Sequence, residues 1–101
     1  MLENFINNKD LTKKTKQVYI ANLRKLNNFK PLEDDLTFLT NYNGIHKFLQ
    51  AYSYQTQRSI LTSIVVLLEE VVKRDNNYDY LYNYWKEFFA GFQSSPTMLN
   101  H

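Results

Sequence analysis

The chain has 101 residues, 44% of them hydrophobic and 22% charged, which is the composition of one globular domain with a packed core. It has no cysteine, two glycines and two prolines, which excludes disulfides and thiolate metal sites, disfavours a β-sandwich or barrel, and favours a soluble, intracellular protein. The formal net charge is +2, but residues 1–30 hold seven Lys/Arg against two acids, so attraction for phosphate is expected there. We predict an all-α fold, a compact bundle of four to five helices.

The first predicted helix follows Thr12, whose side chain can cap the free amides of the first turn. It continues through apolar residues at helical spacing to Leu26, and residues 1–11 form a short lead-in. Three lysines, at positions 13, 14 and 16, lie at the positive end of this helix, where each costs roughly a few tenths of a kcal/mol. A local misfit of this kind is typical of a functional surface.

Three further elements are expected between positions 36 and 73. A single helical turn is predicted at residues 36–39, and Asn41 is the expected cap of a short helix after it. Ser53 then opens the longest helix, roughly residues 54–73. Its apolar side chains cover most of its circumference, which is typical of a helix at the centre of a domain.

The last apolar stretch, residues 78–92, alternates like a strand in its first half but also follows helical spacing. A helix is the better prediction, because an isolated strand would leave its backbone groups without partners. Gly91 and residues 94–96 are expected to end this helix. The predicted organisation is one domain over residues 1–93 and a flexible tail over residues 94–101.

Groups that support catalysis or metal binding are sparse. His46 and His101 have no ligating partner at a typical spacing, and His46 is expected to be solvated on a helix surface. The acidic runs 33–35 and 69–70 are expected to be solvated charges rather than paired acid-base groups. No phosphate-loop, nucleophile or zinc-protease motif occurs, and no run approaches the roughly 18 apolar residues of a membrane span. The sequence predicts no enzyme activity, no metal and no cofactor.

The strongest polar cluster lies at the starts of two predicted helices, residues 12–17 and 53–59. Both segments combine hydroxyls, amides and cations at the end of a helix where backbone amides are unpaired. Such an arrangement can bind phosphate or reach base edges. Ordinary capping and a solvated surface explain the same residues equally well.

The order of motifs along residues 10–72 carries a family resemblance. Its residues are Leu11 to Thr15, Tyr19, Leu23, Leu26, Asp35 to Leu39, Ile45, Phe48, Leu49, Ser53 to Thr56, Ile60, Leu61 and Ile64. This order resembles the N-terminal core-binding domain of tyrosine recombinases, the SAM-like helical domain of phage-type integrases. In its residues the segment is most similar to the integrase-like proteins of large DNA viruses and mobile elements. This similarity implies a viral protein acting in the host cell.

The resemblance implies half of a clamp around duplex DNA, since in that family a separate C-terminal domain holds the chemistry. The family's catalytic set needs a His-x-x-Arg motif, but His46 is followed by Lys47, Phe48 and Leu49. None of the eight tyrosines therefore inherits the nucleophile role, and no strand cleavage is expected. A piece of a longer integrase and a stand-alone viral protein both fit this pattern. The resemblance and the polar clusters at the two helix starts together predict the DNA contacts, which are Thr12, Lys13, Lys14, Thr15, Lys16, Gln17, Gln55, Thr56 and Arg58.

The aromatic C-terminal stretch supports an alternative function. Aromatic side chains are frequent binding hot spots, so this stretch could form a protein-interaction or dimerisation surface through Trp85, Phe88, Phe89 and Phe92. The competing interpretation is that Leu81, Trp85, Phe88 and Phe92 complete the core, because a small domain needs large side chains to fill it.

Overall fold

In the computed structural model, which describes residues 2–30, 32 and 35–99, the chain forms five α-helices and two short 3-10 helices, with no strand. The prediction of an all-α bundle is confirmed. The α-helices are α1 (Glu3–Asn7), α2 (Lys13–Leu26), α3 (Tyr42–Leu49), α4 (Tyr54–Val72) and α5 (Asp79–Leu99), and the 3-10 helices are Thr37–Thr40 and Asn76–Tyr78.

The starts of three helices follow the predicted caps. In each case a side-chain oxygen accepts a hydrogen bond from the backbone N–H three residues later, which satisfies one of the unpaired amides of the first turn. The boundaries predicted at these helix starts are confirmed. The bonds join Thr12 to Thr15 at 3.1 Å, Asn41 to Gly44 at 3.2 Å and Ser53 to Thr56 at 3.4 Å.

The two ends of the chain differ from the prediction. The expected lead-in contains α1, which buries Leu2 and Ile6 in the core. At the other end, α5 continues past Gly91 to Leu99, so the prediction that it ends at Gly91 or at residues 94–96 is wrong. With 21 residues, α5 is longer than α4, which has 19. The last two positions of the predicted tail, 100 and 101, lie outside the described residues.

The core surrounds α4, as its wide apolar surface predicts. Seven α4 side chains are buried, and the helix packs against α1, α2 and α5. Helix α5 contributes Trp85, which is fully buried, and its Nε1 donates to the backbone oxygen of Leu39 at 3.0 Å. Burying each large apolar side chain of this kind contributes roughly 1.5–3 kcal/mol of transfer free energy.

Helices α2 and α4 pack side by side and run in opposite directions. The end of α2 therefore lies beside the start of α4, and the start of α2 lies beside the end of α4. Four contacts establish the direction. Lys9 Nζ lies 2.8 Å from Glu70 Oε2, and Lys25 Nζ lies 5.9 Å from the centre of the Tyr52 ring. Between them, Asn22 Nδ2 donates to Ser59 Oγ at 3.0 Å and to Ser63 Oγ at 3.1 Å.

Candidate nucleic-acid interface

The two helix starts predicted to contact DNA lie at opposite ends of the α2–α4 pair. Helix α2 has 14 residues, and a helix rises 1.5 Å per residue, so the two starts are separated by about 20 Å. The structure therefore does not join residues 12–17 and 55–58 into one site. It places them as two separate regions.

At the start of α2, part of the predicted set is engaged within the protein. Thr12 donates from its hydroxyl to the Thr15 hydroxyl at 2.8 Å, and Lys16 Nζ donates to the backbone oxygen of Asn7 at 2.7 Å. The remaining members, Lys13, Lys14 and Gln17, are exposed. The two lysines have no ion-pair partner among the described residues, so this region offers two unpaired cations to solvent.

At the start of α4, an open groove of about 740 Å³ separates the helix from Tyr19 of α2. Its described lining residues include a guanidinium, an amide, four hydroxyl groups and no carboxylate. Arg58 is exposed and has no ion-pair partner in the described part of the chain. We refer to this feature as the Arg58 groove, and its lining residues are Tyr19, Tyr54, Gln55, Arg58, Ser59 and Thr62.

The spacing of polar residues on α4 explains how the groove forms. Residues three or four apart lie on the same side of a helix, so Tyr54, Arg58 and Thr62 form one row, and Gln55 and Ser59 form the next. The opposite side of α4 carries the buried aliphatic residues. Because Ser59 also receives the Asn22 hydrogen bond, the polar edge of α4 is held against α2.

Two contacts shape the end of the Arg58 groove. The Tyr54 ring stacks on Phe92 of α5, with ring centres 4.8 Å apart and planes inclined by 13°, which supports one wall. Lys25 lies over the Tyr52 ring, next to the start of α4, and the first turn of α4 contains no acidic residue. The positive end of the helix dipole and two cations therefore occur together at this end of the molecule.

Of the three α4 residues predicted to contact DNA, Gln55 and Arg58 line the groove. Thr56 is half-buried, and its backbone N–H and hydroxyl both bond to the Ser53 hydroxyl within the cap. The prediction missed Tyr19 and Tyr54. The four-residue spacing of Tyr54 and Arg58, which puts both on one side of a helix, is a signal in the sequence that was not used.

The acidic runs behave differently from each other. Glu70 was expected to be solvated, but its carboxylate accepts from Lys9 at 2.8 Å and from Lys73 at 3.0 Å. These two bonds lower the pKa of Glu70. Asp35 accepts from the Thr37 hydroxyl and backbone N–H, which lowers its pKa, while positions 33 and 34 lie outside the described residues. Of the three described carboxylates in these runs, Glu70 and Asp35 bond within the protein and Glu69 is exposed.

The prediction of a solvated His46 is wrong, because α3 packs this side chain against aromatic residues of α5. His46 Nε2 lies 2.8 Å from Tyr84 Oη, and its ring centre is 4.3 Å from that of Phe88. Trp85 is fully buried and therefore belongs to the core rather than to an exposed partner surface. The other three aromatics of that predicted surface are partly buried and pack against the core: Phe88, Phe89 and Phe92.

The described residues lack two kinds of feature. They contain no group of three or more His, Asp or Glu side chains placed to hold a metal ion. No helix within them is long and apolar enough to cross a membrane. Comparison of the chain with protein-family models, curated proteins and solved structures found no match.

Proposed function

We propose that the chain is a DNA-binding module of the core-binding type found in tyrosine recombinases, which binds duplex DNA through phosphate contacts without cleaving it. The observation that carries the proposal is the Arg58 groove. Among the described residues its guanidinium has no ion-pair partner, it also contains neutral hydrogen-bond donors, and its described lining residues include no carboxylate. The resemblance of residues 10–72 supports the same function.

The chemistry of the groove suits a phosphate. A guanidinium forms charge-assisted hydrogen bonds to phosphate oxygens, which are roughly twice as strong as bonds between neutral groups. The Gln55 amide and the Ser59 hydroxyl add neutral donors beside Arg58, and such side chains commonly contact the DNA backbone. Lys25 adds positive charge at the same end of the molecule.

The start of α2 supplies a second contact. Lys13 and Lys14 are exposed and unpaired in the described structure, and lysines placed near phosphate attract DNA without distinguishing its sequence. Reversing both charges should therefore weaken binding to all sequences alike. On α2, Asn22 bonds to Ser59 next to Arg58 and lies nine residues after Lys13, so the lysine pair is about 13 Å from the level of Arg58.

The proposal is tested by fluorescence anisotropy with a labelled duplex at several salt concentrations. Each phosphate contact contributes about −0.9 to the slope of log affinity against log salt. Arg58→Gln should lower affinity about fivefold to tenfold and make the slope less negative by about 0.9. Arg74→Gln is the matched control, because Arg74 is also an exposed arginine without an ion pair in the described chain and packs against the Phe5 ring.

Two results would overturn the proposal. One is the absence of binding by the unaltered protein at about 50 mM salt, where phosphate contacts are strongest. The other is an equal loss of affinity in Arg58→Gln and Arg74→Gln, because the loss would then follow total charge and not the Arg58 groove.

A further inference from the structure

Phe29, directly after α2, has the most exposed large apolar side chain of those described, at 75%. Asn28 has a φ of 59° and Phe29 a φ of 63°, so two consecutive residues other than glycine adopt the left-handed conformation. Side chains with a Cβ rarely adopt it, and bulky residues that do are found at functional positions. The backbone here directs an aromatic ring into solvent.

The turn that produces this conformation is a helix C-terminal motif. The Phe29 N–H donates to the backbone oxygen of Arg24 at 2.6 Å, which is the long bond of a Schellman motif with Asn28 in the left-handed position. In that motif the residue at the position of Phe29 commonly packs back on the helix. Phe29 instead stands away from it, so the helix end does not account for the aromatic residue.

The Phe29 ring forms one wall of a second open groove, of about 480 Å³, on the outer side of α2. Ile20 and Ala21 provide an apolar floor, and Gln17 and Lys25 line its polar edge. The groove is open and is bounded on one side by an aromatic ring. A planar aromatic ligand fits such a surface better than a branched aliphatic side chain does.

The charges around this groove favour a nucleic-acid ligand. Glu3 is its only described acidic lining residue, and both its carboxylate oxygens accept from Arg24 at 2.8 Å, so its charge is compensated. Lys25 and Lys30 have no ion-pair partner among the residues the structure describes. An aromatic ring flanked by unpaired cations is the arrangement that binds a base together with its neighbouring phosphates.

We propose that Phe29 stacks on an unpaired base of the bound DNA, and that the protein therefore prefers duplexes with an unpaired base to perfect duplexes. This inference rests on the proposed function. The position of Lys25 supports it, because Lys25 lines the groove beside Phe29 and also lies over the Tyr52 ring next to the start of α4.

The test compares three labelled DNA molecules by fluorescence anisotropy: a perfect duplex, the same duplex with one unpaired adenine, and the same duplex with an abasic linker in place of that adenosine. Stacking on an aromatic side chain typically changes affinity by about tenfold or more. The unaltered protein should bind the unpaired adenine about tenfold tighter than the other two molecules. Phe29→Ala and Phe29→Gly should remove this preference, and Phe29→Trp should keep it.

Tyr80→Ala is the matched control, because Tyr80 is 57% exposed and lies on α5; it should keep the preference. Equal affinity for the three DNA molecules, or a preference that survives Phe29→Ala, would overturn the inference.

If Arg58→Gln still weakened binding to the perfect duplex, the proposed function would stand. Loss of a concentration-dependent dimer in Phe29→Ala, with DNA preference unchanged, would assign the ring to a protein contact. No binding to any of the three would overturn both proposals.

Discussion

The contact of Asn22 with Ser59 and Ser63 should determine how firmly α2 is held against α4. Asn22 is 6% exposed and Ser63 is fully buried, and one amide nitrogen donates to both serine hydroxyls. The buried surfaces of the two helices are otherwise mostly aliphatic. We expect Asn22→Ala to be strongly destabilising, because it removes the polar link between two helices that border the Arg58 groove.

The expected loss follows from the two bonds. Each contributes about 1 kcal/mol net to the free energy of unfolding, and the truncated side chain leaves a small void. The Ser63 hydroxyl still donates to the Ser59 backbone oxygen at 2.8 Å, but it loses the donor that it accepts from. The better helix propensity of alanine returns about 0.5 kcal/mol. The net loss should be about 2 kcal/mol.

Urea denaturation followed by far-UV circular dichroism measures this loss, with Asn83→Ala as the matched control. Asn83 lies exposed on α5, so the same substitution there should raise stability by up to about 0.5 kcal/mol. A double-mutant cycle with Ser63→Ala should give a coupling energy of about 1 kcal/mol. A loss in Asn22→Ala no larger than about 0.5 kcal/mol, or a coupling near zero, would refute the reasoning.

Three further substitutions probe other contacts by the same denaturation assay. Glu70→Gln should lower the free energy of unfolding by about 1 kcal/mol near pH 7. Because Lys9 and Lys73 lower the Glu70 pKa from its ordinary value of 4.5, this difference should persist above pH 4.5 and vanish as the pH falls through the lowered pKa. A difference that stays constant with pH would contradict the ion pair. Asn28→Gly should raise stability by about 0.5 kcal/mol by relieving the left-handed conformation, and a loss would count against that strain. Trp85→Phe should lower the free energy of unfolding by about 2–3 kcal/mol, because it removes the bond to Leu39 and leaves a void. Its DNA affinity should stay unchanged, and weaker DNA binding by the folded variant would place Trp85 in the interface.

The starts of the helices could be predicted because their signals are local. Thr12, Asn41 and Ser53 each act within three residues of themselves, and the wide apolar surface of α4 requires burial wherever the other helices lie. Helix α1 was missed because it has five residues and no side-chain cap. Gly91 did not end α5: glycine disfavours a helix by only about 1 kcal/mol, and Phe92, directly after it, packs against the core and stacks on Tyr54.

The arrangement of the candidate site depends on contacts that no local pattern contains. The antiparallel direction of α2 and α4 follows from distant pairs such as Asn22 with Ser63, which are 41 positions apart. The partner of His46 is Tyr84, 38 positions away, so the expectation that an isolated polar residue on a helix is solvated gave the wrong environment. Arg58 was identified from its residue type and helix position, but its neighbour Tyr19 comes from another helix.

Under the proposed function, the antiparallel packing of α2 and α4 sets the length of duplex that is needed to reach both regions. Base pairs in a duplex are stacked about 3.4 Å apart, so the distance of about 13 Å along α2 between Lys13 and the level of Arg58 corresponds to about four base-pair steps. A duplex shorter than this reaches Arg58 or the lysine pair at positions 13 and 14, but not both. Affinity should therefore rise in two stages as the duplex is lengthened, and the second stage should disappear when the lysine pair is removed.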